Sequence, residues 1–225
     1  MTILHLHHIP TLSQQIPWQQ ALQSLDASEQ NSAAKIKAER RLQEFVYGRH
    51  CLKTALAKHI GATAAELQLL KHPQGKLYLA GNPTFFNLSH SGEYLAYFIH
   101  DDCEVGLDIE HVSQRSPDLA GIAERYFCAA EQLAIKTAIA QSEADAKRVF
   151  YKIWTLKEAT LKALGTGLNG GLDQLDTHTA AEGQVHRLAN ESVIFYHYPA
   201  PLGLESVFLS AAFLSATPQT KPLLR

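Results

Sequence analysis

Gly106-Leu107-Asp108-Ile109-Glu110 lies just before the midpoint of the 225 residues, and the rest of the chain is ordered around it. Apolar and acidic residues alternate with the period of a β-strand, in which every second side chain shares a face. Asp108 and Glu110 therefore point one way, Leu107 and Ile109 the other. Two carboxylates about 7 Å apart on one face repel unless a cation or water lies between them. A hard divalent ion such as magnesium takes oxygen ligands, keeps several waters, and would answer that repulsion. A solvated face on an edge strand would answer it too. The pentapeptide alone does not choose.

Toward the N-terminus the chain is helical in pattern over residues 26–60, with Ser28 and Glu29 at the start and Gly61 at the end. Short apolar runs at 67–70, 76–79, 85–88 and 94–99 are bounded by Gly, Pro, Asn or Asp, as strands are. Asp101-Asp102 then predicts a turn into a strand over 104–110. Toward the C-terminus the pattern predicts helices over 117–127, 129–140 and 144–164, then strands over 184–188, 192–198 and 205–214. The tail beyond Pro218 is expected to be loose. The order strand, helices, strands thus occurs twice, with the halves meeting near Cys103. An α+β fold of two similar sub-domains follows, over residues 1–104 and 105–225, with an active site in the cleft between them.

Composition narrows the function. The formal net charge of −2 lacks the basic balance of a nucleic-acid binder and gives no argument for a membrane partner. No run approaches the roughly 20 apolar residues of a membrane span, and the N-terminus lacks a signal-peptide pattern. Cys51, Cys103 and Cys128 form neither a disulfide framework nor a zinc spacing, which suits a reducing, cytoplasmic compartment. His5, His7 and His8 invite a metal reading, but alternating positions on an N-terminal strand explain them without one.

Two further stretches carry chemistry. Phe150-Tyr151-Lys152-Ile153-Trp154-Thr155-Leu156-Lys157-Glu158-Ala159-Thr160-Leu161-Lys162 reads as a helix whose apolar stripe is interrupted by Lys157 and Glu158. Trp154, Glu158 and Lys162 follow at i, i+4 and i+8, on nearly one face. A surface Glu–Lys pair is one reading and a cleft at a helix–sheet junction the other. Phe86-Asn87-Leu88-Ser89-His90-Ser91-Gly92 reads as a strand entering a polar turn. Its hydroxyls, imidazole and free N–H groups could hold phosphate oxygens, or could simply make a turn.

Taken together, and in this order, FNLSHSG, GLDIE and WTLKEATLK resemble the three motifs of the Sfp-type 4′-phosphopantetheinyl transferases. The resemblance covers roughly residues 24 to 170. It implies a magnesium ion bound by Asp108, Glu110 and Glu158 together with the diphosphate of coenzyme A. Lys162 would lie at the transferred phosphate, and Glu158 would deprotonate the incoming serine of an apo acyl or peptidyl carrier protein. Ser89, His90 and Lys76 match residues at the phosphates of the adenosine half. Arg49, in a Gly-Arg pair, and Lys157, inside the helical motif, are expected at the same cofactor. Arg40, Arg41 and Lys53 extend the basic series on that first helix without an assigned role. Two similar halves in one chain can supply the cleft internally, so a monomer is expected.

The match has gaps. The lysines that some relatives carry early in the first helix are replaced here by Glu29-Gln30-Asn31-Ser32. Cys128 stands where the family has a serine or threonine cap, which should weaken that helix start by about 1 kcal/mol. Gly165-Thr166-Gly167-Leu168-Asn169-Gly170 fits a dinucleotide-binding pattern by letters, but a helix precedes it where a strand is required. Gly165 is instead a helix C-cap. Two rival functions stay open: a coenzyme A or carrier-binding module of low activity, and a magnesium-dependent phosphohydrolase or nuclease built on paired acids.

Overall fold

The computed structural model describes residues 2–112, 118–167, 173, 175–178, 180–188 and 190–225. The chain starts with β1 (Ile3–His8), then α1 (Ile9–Gln15), α2 (Trp18–Gln23), α3 (Ala27–Ala33) and α4 (Glu39–Ile60). A small hairpin of β2 (Leu69–Lys71) and β3 (Leu77–Leu79) precedes β4 (Phe85–Ser91) and β5 (Tyr94–His100). The second half runs β6 (Val105–His111), α5 (Leu119–Tyr126), α6 (Ala129–Gln141), α7 (Glu143–Leu164), β7 (His186–Leu188), β8 (Glu191–Pro199) and β9 (Val207–Leu214). A last short strand, β10 (Leu223–Leu224), ends the chain.

Two four-stranded sheets result, in the orders β10-β1-β5-β4 and β6-β9-β8-β7. In each, the first strand of the half lies antiparallel to its last long strand, which lies antiparallel to the one before it. The α+β repeat expected from the sequence is therefore present in the strand pairing. The boundary expected near residue 104 falls in the short turn between β5 and β6.

Three readings need correction. The helix expected over 26–60 is broken at 34–38. Nothing in Ala34-Lys35-Ile36-Lys37-Ala38 forbids a helix, so tertiary contacts decide: the break folds Glu29 of α3 back onto Arg49 and Lys53 of α4. The cap of α3 is Asp26, whose carboxylate accepts the Glu29 N–H at 2.9 Å. The C-terminal tail is not loose. Leu223 and Leu224 pair in parallel with Ile3 and Leu4, so the chain's end joins the first sheet. Gly61 and Gly165 do close their helices, both in the left-handed region.

The halves share a core. Leu4, Leu6 and Phe98 of the first sheet pack with Leu107, Ile109, Leu209 and Phe213 of the second. On its other face the first sheet packs Phe86, Leu95 and Tyr97 against Val46, Leu52 and Leu56 of α4. Among the described residues no helix is long and apolar enough to cross a membrane.

Candidate active site

Gly106 decides how close β6 comes to α7. A Cβ on it would lie 1.9 Å from the Ala159 carbonyl oxygen and 2.4 Å from the Ala163 nitrogen. Only a residue without a side chain allows the strand to rest on the helix backbone there. That approach sets Asp108 and Glu110 against the helix positions carrying Glu158 and Lys162.

The four groups then interact. Asp108 is 4% exposed, and its Oδ1 accepts from Lys162 Nζ at 2.5 Å and from Ser89 Oγ at 3.3 Å. Glu110 accepts from Ser91 Oγ at 2.7 Å. Burial pushes the Asp108 carboxyl up to about 7 from 3.8, opposed by the Lys162 charge and reinforced by Glu110 and Glu158. Burial likewise raises Glu158, with Glu110 adding to it and Lys162 opposing it. Asp108 Oδ2 and Glu158 Oε1 are buried and accept no hydrogen bond. Two unpartnered buried carboxylate oxygens beside a third acid form a donor set that a hard cation would satisfy.

A magnesium ion would fit those oxygens while keeping waters of its own. The three carboxylates stand open rather than closed on a point. Among the described residues the one group of three whose ligand atoms all lie within 4.8 Å is Cys128, Glu131 and Asp176. That group is occupied otherwise, because Glu131 is held by Lys157 and by both Thr177 donors.

Ligation requires ionised carboxylates. Divalent-ion affinity is therefore expected to rise with pH through about 7, where Asp108 ionises. The same shift gives the cation-free protein the opposite trend. The folded form holds the Asp108 proton up to about 7 while the unfolded chain loses it near 3.8, so stability falls as pH rises between those values. Manganese titrations and melting curves across that range check both signs. Affinity independent of pH would remove Asp108 from the site.

Glu158 and Lys162 line a cleft of about 250 Å³ together with Gln74, Lys76, Asn87 and Gly165. Lys76, expected at the cofactor, does reach this cleft, where its Nζ bonds Glu104 at 2.5 Å and the Ala163 carbonyl at 2.8 Å. It thus also ties the first half to the end of α7. His90 lies beside Glu44 at 3.6 Å, and Glu44 is flanked by Arg40 at 3.2 Å and Arg41 at 3.7 Å. Burial lowers the His90 pKa; Glu44 opposes that, and Arg41, Lys162 and Arg40 add to it. Ser89 is buried, and its three hydrogen-bonding capacities are all taken by Asp108, Lys162 and the Ile109 N–H.

Two expected cofactor residues lie elsewhere. Lys157 is 1% exposed and forms an ion pair with fully buried Glu131 at 2.8 Å. It also donates to the Leu175 carbonyl at 2.5 Å and lies over the Phe127 ring. Adjacent residues of a helix diverge by about 100°, so Lys157 anchors α7 to α6 while Glu158 faces the cleft. Trp154 belongs with Lys157, stacked on Phe150 at 6.0 Å. Arg49 is buried as well, 3.1 Å from Glu29, and is not on the cleft lining.

The basic series of α4 is thus split. Arg49 and fully buried Lys53 hold α3, whereas Arg40 and Arg41 remain largely exposed beside His90. Helical spacing was the signal that could have separated them, since 40, 41 and 44 share a face that 49 and 53 do not. The N-terminal histidines lie on β1, as the alternating pattern predicted. His5 and His7 stack on Tyr97 at 4.9 and 5.6 Å, and burial lowers the His7 pKa to about 4. A larger cavity, about 840 Å³ and lined by α4, β1 and β5, contains none of the cleft residues.

An α+β repeat with three carboxylates and a lysine gathered at the seam of its halves defines the class. Residues 104–201 match the model of the 4′-phosphopantetheinyl transferase superfamily. A Synechocystis sp. protein provisionally named as a 4′-phosphopantetheinyl transferase is 31% identical over 169 residues, covering 74% of this chain and 66% of that one. A 4′-phosphopantetheinyl transferase of Bacillus pumilus is 32% identical over 149 residues, covering 66% and 58%. The 4′-phosphopantetheinyl transferase HetI of Nostoc sp. is 27% identical over 169 residues, covering 73% and 70%. The chain belongs to the 4′-phosphopantetheinyl transferase superfamily. Its matching segment spans about two thirds or less of the length of two of these three relatives.

Proposed function

We propose that this protein transfers the 4′-phosphopantetheine arm of coenzyme A to a serine of an apo acyl or peptidyl carrier protein. The serine oxygen forms a bond to the β-phosphorus, the bond to the 3′,5′-ADP oxygen breaks, and the serine proton passes to Glu158. The observation that carries this reading is the gathering of Asp108, Glu110, Glu158 and Lys162 at the seam of the halves, beside a cleft that Glu158 and Lys162 line, with two carboxylate oxygens left unpartnered.

Phosphoryl transfer is accelerated mainly by positioning and by neutralising charge. A magnesium ion held by Asp108, Glu110 and Glu158 would supply Lewis-acid neutralisation of the diphosphate. Lys162 places a cation one helical turn beyond Glu158, where charge develops on the transferred phosphate. Glu158 is raised by burial, which brings a carboxylate nearer to the pKa a general base needs. Arg40, Arg41 and His90 offer a basic rim for the adenosine phosphates, a role the sequence placed on Ser89, His90 and Lys76. Residues from 1–104 supply that rim and residues from 105–225 the acids, so one copy of the chain furnishes both walls.

Intact mass of apo carrier proteins, after incubation with this protein, coenzyme A and magnesium, tests the reaction. The expected gain is one phosphopantetheine arm, abolished by EDTA. No gain on acyl or peptidyl carriers while coenzyme A still binds would replace the transferase reading with that of a binding module.

A further inference from the structure

Strand β6 is an edge of its sheet, yet Leu107 and Ile109, whose N–H groups point outward, are buried. Leu214 N donates to the Glu104 carbonyl and Val112 N to the Ser206 carbonyl, so even-numbered residues of this strand pair with β9. The amides of Leu107, Ile109 and His111 therefore face away from β9. Leu107 and Ile109 are essentially buried, and an unpaired N–H there would cost about 1–3 kcal/mol.

Side chains of β4 satisfy them. Leu107 N donates to Asn87 Oδ1 at 2.9 Å, Ile109 N to Ser89 Oγ at 3.4 Å, and His111 N to Ser91 Oγ at 3.1 Å. The donors and acceptors advance together by two residues, as in a parallel ladder whose acceptors are side chains. The serines do more than accept. Ser89 donates to the carboxylate of Asp108, and Ser91 to that of Glu110 at 2.7 Å. Each hydroxyl thus joins one acidic side chain to the next residue's amide.

We infer that Asn87, Ser89 and Ser91 are positioning residues: they fix β6 against β4 across the seam, and Ser91 orients the Glu110 carboxylate of the proposed cation site. The aiming role rests on the cation site proposed above; the ladder does not. Removing a group that orients a metal-binding side chain typically weakens the metal by about 10- to 100-fold.

The test uses the full chain, with manganese as probe, in wild type, Ser91→Ala and Ser91→Thr. Manganese affinity by electron paramagnetic resonance is expected to fall at least about tenfold in Ser91→Ala and to return in Ser91→Thr, which keeps the hydroxyl. Amide exchange in the wild type is expected to show Leu107, Ile109 and His111 protected although they face no backbone acceptor. That measurement decides the ladder even if Ser91→Ala does not fold. Rapid exchange at these amides overturns the ladder. Unchanged affinity in Ser91→Ala, or no manganese binding by wild type, overturns the aiming role. Normal manganese results without carrier modification would leave this inference standing and remove the transferase reading.

Discussion

Glu158→Gln is expected to lower the rate of carrier modification by about 10²- to 10⁴-fold, the range assigned to a positioned general base. The substitution keeps the size of the side chain and replaces the carboxylate with an amide too weakly basic to take the serine proton. Glu158 lines the cleft, its Oε1 is buried without a partner, and Lys162 lies one turn along the same helix face. Part of the loss should come from a weaker cation, because Glu158 is also in the proposed ligand set. Measuring kcat at saturating magnesium separates the two. A residual loss there, with KM for coenzyme A within a few-fold of wild type, assigns the proton to Glu158. Full recovery at high magnesium would leave Glu158 as a ligand only.

Lys157→Met is expected to cost about 3–5 kcal/mol of stability, because it strands a buried carboxylate. Glu131 has no exposure at all and, among the described residues, would keep the Thr177 and Cys128 donors. The double variant Lys157→Met with Glu131→Leu should recover much of the loss, since neither charge then remains in the core. Chemical denaturation reads the stability. KM for coenzyme A, measured where the single variant is folded, should stay near wild type. A large rise in KM with stability intact would return Lys157 to the cofactor, where its sequence neighbours placed it.

The two substitutions show where sequence reading stopped. Glu158 and Lys157 are adjacent in one motif, and composition treats them alike. Their separation depends on which side of α7 meets α6 and which meets β6, and that is set by Glu131 and Gly106, both distant in sequence. Arg49 followed the same course: its place in a Gly-Arg pair resembling the family's reads as a phosphate ligand until Glu29 is seen beside it. In FNLSHSG the polar residues were legible as a functional strand end, but not that Asn87, Ser89 and Ser91 spend their hydrogen bonds on the backbone of β6. The break in the predicted helix and the pairing of the tail with β1 were invisible for a related reason. Both are decided by distant partners, against local propensity or without any local signal.

From its sequence alone the protein was determined as an α+β repeat with Asp108 and Glu110 on one strand face and Glu158 and Lys162 on one helix face. Those statements rest on periods of two and 3.6 residues, which are properties of the local backbone. Tertiary structure decided the rest: which charges are buried in pairs, which oxygens remain unpartnered, and how two sheet edges are joined. These depend on desolvation and on contacts between residues far apart in the chain, and no local pattern encodes either.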